Sequence, residues 1–281
     1  MRGRMAVVAL LGIGAAVALA FAWRDEPGGP VAGPVHTHGL GVDPADGSVL
    51  IATHTGMWRL ERDARTAVRV GDRNQDTMGL TVVGPGRLLA SGHPDLRDDL
   101  PPNLGLIESE DGGATWRSVS LLGQADFHLL RHRGSSVYGY DATGARFLVS
   151  RDRGVTWREQ DAPGPVADLA IDPETESVLL AVASGYLHRS VDRGRSWRAL
   201  GATAGLLAWP SPRALYVVRS DGGVYASADG GASFERRGAV DGEPAAFTAA
   251  SDTELYVALA DGSIQRSADG GLTWSLRAAS A

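Results

Sequence analysis

Three short stretches carry, in matching order, side chains suited to binding a metal. They read His36-Thr-His38-Gly-Leu40-Gly-Val42, Asp76-Thr-Met78-Gly-Leu80-Thr-Val82 and Asp126-Phe-His128-Leu-Leu130. Aligned, they put His38, Met78 and His128 at one position, with His36, Asp76 and Asp126 two residues earlier. On an extended strand a spacing of two keeps both sets on the same side. His54, His93 and Asp141 follow each stretch at the end of the next strand-like run. Neutral imidazoles, a thioether and carboxylates are transition-metal ligands. In a chain without Cys this set favours copper, with zinc next. The candidate ligands are therefore His36, His38, His54, Met78, His93 and His128. Asp76 and Asp126 are either further ligands or acceptors that fix the imidazole tautomers. The competing reading is hydrogen-bonded histidines and a packed methionine on the same row as Leu40, Leu80 and Leu130. His132 lies in the same half of the chain, and only His188 lies elsewhere. Met57, at a strand start, reads as core.

An internal repeat supplies the elements that must position these residues. Five segments share the pattern S-x-D-x-G-x-[ST]-[WF]. They start at Ser109, Ser150, Ser190, Ser227 and Ser267, a near-constant interval. Each reads as a tight strand–turn–strand. The Asp accepts backbone N–H groups of its own turn, the Gly takes a backbone angle closed to other residues, and the aromatic packs into a neighbouring sheet. These residues are expected to be structural. The segment is the Asp-box, or BNR, repeat, and residues 35–281 resemble the sialidase-like β-propeller superfamily.

Within each repeat, short strand-like runs are separated by Gly/Asp turns, four runs to about 40 residues. Val166–Asp172, Glu176–Ala183, Tyr186–Ser190 and Trp197–Leu200 make one such set. A set at residues 38–70 has lost its box around Asp63. Another, from Thr77 to Val119, carries an insertion at Gly92–Asn103. The expected fold is all-β, a six-bladed β-propeller with Asp-box turns, preceded by an N-terminal transmembrane or signal helix. Seven blades is the alternative count. The first strand of each blade would line a central channel. Its start and the end of the second strand share one rim, so the candidate ligands of blades 1 to 3 converge on one channel mouth. Blades 4 to 6 carry Ala167, Leu206 and Ala246 at or beside the matching positions. Closure is expected from packing of blade 1 on blade 6 rather than from a shared strand.

Met5 to Trp23 is a run of 19 uncharged, mostly apolar residues, preceded by Arg2 and Arg4. As a helix it would span roughly 28 Å, about one hydrocarbon core. Residues 1–24 are thus expected to be a signal anchor or a signal peptide cleaved near Ala22, and residues 25–34 a Pro/Gly-rich linker. The body, 35–281, would lie outside the cytoplasm, as a single-pass membrane protein or a secreted one. All 27 basic residues are Arg; against 33 acidic residues they leave a formal charge of −6. That mild acidity argues against a general nucleic-acid binder. Zero Cys removes disulfides, thiolate metal sites and a thiol nucleophile.

The resemblance implies a glycosidase reading. Sialidases of this superfamily use an Arg triad, a Tyr paired with Glu, an Asp acid/base and an Arg-Ile-Pro signature. That signature is absent here, and no Glu is evident beside Tyr138 or Tyr140. Asp76, Asp126 and Asp141 remain candidate catalytic carboxylates, with Asp95, Asp98 and Asp99 on the insertion, a run that also reads as a solvated loop. His38-Gly-Leu-Gly-Val-Asp-Pro, Ser91-Gly-His-Pro-Asp and Ala125-Asp-Phe-His are similar to bacterial Asp-box proteins labelled glycosylhydrolases. Other Asp-box propellers serve as assembly or sorting factors, which keeps a protein partner open. The sequence therefore leads to a ligand, copper or zinc above all, at the mouth of blades 1 to 3. A glycoside hydrolase and an interaction scaffold stand as alternatives.

Overall fold

The computed structural model describes residues 33–34 and 36–280. The expected membrane helix and nearly all of the linker lie outside these residues. Among the described residues no helix is long and apolar enough to cross a membrane.

The described residues form twenty-four strands in six four-stranded antiparallel sheets, each made of four consecutive strands. Blade 1 holds β1 (Thr37–Val42), β2 (Val49–Thr53), β3 (Gly56–Leu60) and β4 (Val68–Val70). Blade 2 holds β5 (Asp76–Gly84), β6 (Arg87–His93), β7 (Leu106–Ser109) and β8 (Arg117–Ser120). Blade 3 holds β9 (Phe127–Arg133), β10 (Ser136–Asp141), β11 (Arg146–Ser150) and β12 (Arg158–Gln160). Blade 4 holds β13 (Val166–Ile171), β14 (Leu179–Ala183), β15 (Tyr186–Ser190) and β16 (Arg198–Thr203). Blade 5 holds β17 (Leu206–Ser211), β18 (Ala214–Val218), β19 (Gly223–Ser227) and β20 (Glu235–Ala239). Blade 6 holds β21 (Pro244–Ala249), β22 (Leu255–Leu259), β23 (Ile264–Ser267) and β24 (Ser275–Ala278).

The first strands contact one another in sequence and β21 returns to β1, which closes a six-bladed propeller. The second strands are apolar and buried along their length: β2, β14, β18 and β22 are buried at every residue. Such continuous runs suit strands covered on both faces. Six apolar clusters fill the six interfaces between blades. Met57 is buried in the cluster between blades 1 and 2.

The repeated turns tie each third strand to its fourth. In blade 2 the Ser109 hydroxyl donates to Asp111 Oδ1 (2.8 Å) and accepts the Gly113 N–H (2.8 Å). Asp111 also accepts the Thr115 N–H (2.9 Å) and hydroxyl. The same set recurs from Ser150, Ser190, Ser227 and Ser267. Gly154 shows why the second glycine is needed. Its φ is +86°, and a Cβ there would sit 2.1 Å from Leu106 of the preceding blade.

Blade 1 lacks this turn, and blade 6 compensates. The buried Arg277 guanidinium, on β24, donates to the main-chain carbonyls of Glu61, Arg62 and Ala64 where the turn would be. Leu40, Val49, Ile51, Trp58 and Leu60 pack there against Ala246, Tyr256, Ala258 and Ile264. Among the described residues no strand is shared between the blades.

Candidate metal centre at the channel mouth

A cavity of about 720 Å³ runs along the propeller axis, lined by the first strands of all six blades. His38, Met78 and His128 all line it. A β-bulge brings each of them there. The register shifts between Thr37 and Gly39, between Thr77 and Gly79, and opposite His128 between Tyr140 and Asp141. A bulged residue has no partner across the ladder and can be re-aimed out of the sheet. Blades 4 and 6 repeat the device at Ala167 and Ala245, which offer nothing to coordinate. The match in blade 6 is thus Ala245, one residue before the position aligned from sequence.

The imidazoles and carboxylates gather into two groups at this rim. In the first, His54 Nδ1 lies 2.9 Å from Asp76 Oδ2 and His38 Nε2 lies 3.8 Å from Asp76 Oδ1. The His38 and His54 rings meet edge-on, centroids 4.2 Å apart. In the second, His128 Nε2 is 2.8 Å and His93 Nε2 3.6 Å from Asp126 Oδ2. Within each group one ligand atom per residue lies within 4.8 Å of the others. The arrangement is quasi-repeating: the His at the end of a second strand, or just past it, meets the Asp at the start of the next blade. Asp76 and His93 are direct cross-strand partners on β5 and β6, so the groups adjoin.

Several polar atoms here are buried without a hydrogen-bond partner: His38 Nε2, Asp76 Oδ1 and Asp126 Oδ1. The first two face each other, and a buried acceptor opposite a buried ring nitrogen is costly unless something joins them. Burial pushes the His38 pKa down to about 4, and nearby His54 adds to the effect. The ring therefore keeps a free lone pair at neutral pH. The hydrogen bond to Asp126 moves His128 the other way, upward. His93 is oriented by its second nitrogen, Nδ1, 2.8 Å from the Pro102 carbonyl. A carbonyl partner of that kind fixes the tautomer and leaves Nε2 as the coordinating atom.

The remaining candidates lie around these groups. His36 is exposed at φ +51°, its ring 5.5 Å from that of His54. Asp141 is fully buried beneath the second group. It accepts the Asp126 N–H (2.9 Å) and receives Arg146 through Nε (2.9 Å) and Nη2 (2.7 Å). Its carboxylate holds Asp126 in place rather than joining the mouth. Asp95 is buried too, accepting the main-chain N–H of Asn74 (2.7 Å) and Arg97 (2.9 Å), so the insertion is pinned to the linker before blade 2 rather than solvated there. His132 and His188 belong to neither group.

Sequence reasoning missed the polar wall of the channel. Asp168 is buried beside the Ala167 bulge, paired with Arg131 of blade 3 and accepting the Leu207 N–H of blade 5 (2.7 Å). It joins three blades. Its only signal in the sequence was a charge inside an otherwise apolar strand.

No family model matches the chain. Among curated proteins it is similar to the dispase autolysis-inducing protein of Streptomyces mobaraensis, 26% identical over 129 residues. That is 46% of this chain and 32% of the relative, so the match spans about a third of the relative's length. Among solved structures it is similar to YCF48 from Cyanidioschyzon merolae, with 13% identity, a TM-score of 0.54, and 88% and 86% of the two chains covered. YCF48 bound to a D1 peptide gives 15%, 0.55, 88% and 83%. The Niastella koreensis GH74 enzyme gives 14%, 0.61, 88% of this chain and 46% of its own. Likeness at these identities is a likeness of fold, shared by propellers with different uses.

Proposed function

We propose that this chain binds a divalent transition metal, copper or zinc, at the channel mouth of blades 1 to 3. The observation that carries the reading is the His38–Asp76–His54 group, where a buried nitrogen and a buried oxygen face each other unpartnered at 3.8 Å. A cation between them satisfies both. Two imidazoles and a carboxylate are a ligand set used by zinc and accepted by copper(II), and they leave coordination positions open to the channel. His93, Asp126 and His128 offer a second, equivalent set. Residues 5–23, read as an export segment, would place both sets outside the cytoplasm.

Metal analysis and calorimetric titration of the purified protein test this. Two equivalents of zinc or copper are expected. His38→Ala should remove one and His128→Ala the other, each weakening its own site by more than about 100-fold. Absence of tight binding, or binding indifferent to both substitutions, rules the reading out.

The glycosidase alternative is weaker on geometry. Asp141 is engaged by Arg146 and the Asp126 main chain. Asp76 and Asp126 each face two imidazoles.

A further inference from the structure

The opposite face of the propeller carries a cluster of arginines that the channel mouth does not use. Turns between third and fourth strands lie at the other end of each blade from His54 and His93. In blades 2, 5 and 6 the residue before the second conserved glycine of the turn is itself glycine. Gly112, Gly230 and Gly270 sit at φ +72°, +68° and +71°. In blades 3 and 4 the same position is Arg153 and Arg193, at φ +60° and +65°. A side chain at such an angle is strained, and glycine is the residue the turn calls for. Strain retained at equivalent points of two adjacent blades invites a use for the side chain.

Arg193 has company. β11 and β12 pair Val149 with Arg158 and Phe147 with Gln160, which brings Val149, Arg158 and Gln160 together beside Arg151. Arg193 and Arg195 reach across from the blade 4 turn and complete a small cavity of about 20 Å³. The matching turn residues elsewhere are Glu110 and Ala114, Ala228 and Ala232, Ala268 and Leu272.

We infer that Arg151, Arg158, Arg193 and Arg195 form a site for a doubly charged tetrahedral oxyanion, a phosphate or sulfate, free or at the end of a larger molecule. Among the described residues none of these four guanidinium groups takes part in a hydrogen bond or ion pair. The Nε of Arg193 is buried without a partner. The adjacent carboxylates are engaged in their own turns, Asp152 by Ser150 and Thr156 and Asp192 by Ser190 and Ser196. Blade 2 shows the ordinary alternative: Arg117, equivalent to Arg158, pairs with Glu108. The four unpaired guanidinium groups, three of them exposed, stand around the mouth of this cavity, and an anion seated over it offsets their mutual repulsion. Their planar N–H forks match the oxygens of a phosphoryl or sulfuryl group.

The test uses chelator-treated protein, so that no metal at the channel mouth takes the anion. Inorganic phosphate and sulfate should raise the thermal midpoint above that in sodium chloride of equal ionic strength, and titration calorimetry should give one site. Arg158→Gln and Arg193→Gly should each weaken phosphate binding about tenfold or more, the loss of a charge-assisted hydrogen bond. Arg193→Gly restores the glycine of the other turns, so its midpoint in chloride should hold or rise. Arg117→Gln should leave phosphate binding unchanged. Glycerol phosphate binding more tightly than inorganic phosphate assigns the site to an ester-borne group; the reverse assigns it to the free ion. Equal midpoints in phosphate and chloride overturn the proposal, as does a phosphate effect that survives both substitutions.

Discussion

His38 and His128 occupy equivalent bulges yet titrate in opposite directions. His38, held down to about 4, refuses a proton that the unfolded chain accepts below about 6.5. Its effect on stability is nil above that value and grows as pH falls toward 4, costing at most about 3 kcal/mol, less with a fifth of the side chain exposed. His128, raised by Asp126, contributes stability that is full below about 6.5 and is lost as pH rises through its folded value. In metal-free protein, His38→Gln should therefore flatten the loss of thermal midpoint between pH 6.5 and 4. His128→Gln should leave that limb nearly unchanged and instead remove the gain in midpoint seen as pH falls toward about 6.5. An acid limb unchanged by His38→Gln would count against a buried neutral imidazole. Asp141 belongs at this scale too. Asp141→Ala leaves the buried Asp126 N–H without its acceptor and the partly exposed Arg146 without its carboxylate, and should destabilise the fold by about 2 kcal/mol in urea titrations. A catalytic or ligating role confined to the mouth would leave stability nearly intact. Residue types and their alignment were legible in the sequence, since both depend on local spacing. Which carboxylate meets which imidazole was not, because His54 finds Asp76 and His93 finds Asp126 across blade boundaries.

Strands and turns divide along the same line. The serine, aspartate and glycine of each repeated turn bond to atoms two to four residues away, so the sequence alone exposes them. The bulges at His38, Met78 and His128 depend on a neighbouring strand's register, and no local pattern announces them. The insertion misled for a related reason: Asp95 reads as a solvent-facing charge until Asn74 and Arg97 close around it. Because the turns are structural, Asp111→Ala should lower the midpoint by several degrees while leaving metal binding unchanged. Loss of metal together with an unaltered midpoint would reverse that assignment.

Blade count and ring closure follow from the regular interval between the repeated turns, so the whole molecule was legible to the extent that its repeats are. The clasp was not, since Arg277 and the carbonyls it binds come from opposite ends of the described chain. Arg277→Ala removes the buried guanidinium that holds three carbonyls at the seam and should cost about 2–4 kcal/mol by denaturant titration. Hydrogen exchange should then quicken first in β1 and β21. A variant as stable as the parent would mean that apolar packing alone shuts the ring. Each sheet uses four consecutive strands, and Pro34 and Ser280 both lie within 4 Å of where a Gly262 Cβ would be. The polypeptide is thus a bracelet whose fastening point is arbitrary. A circular permutant joining residue 280 to residue 34 and opened between Val70 and Asn74 should fold, with every blade intact and the seam made covalent.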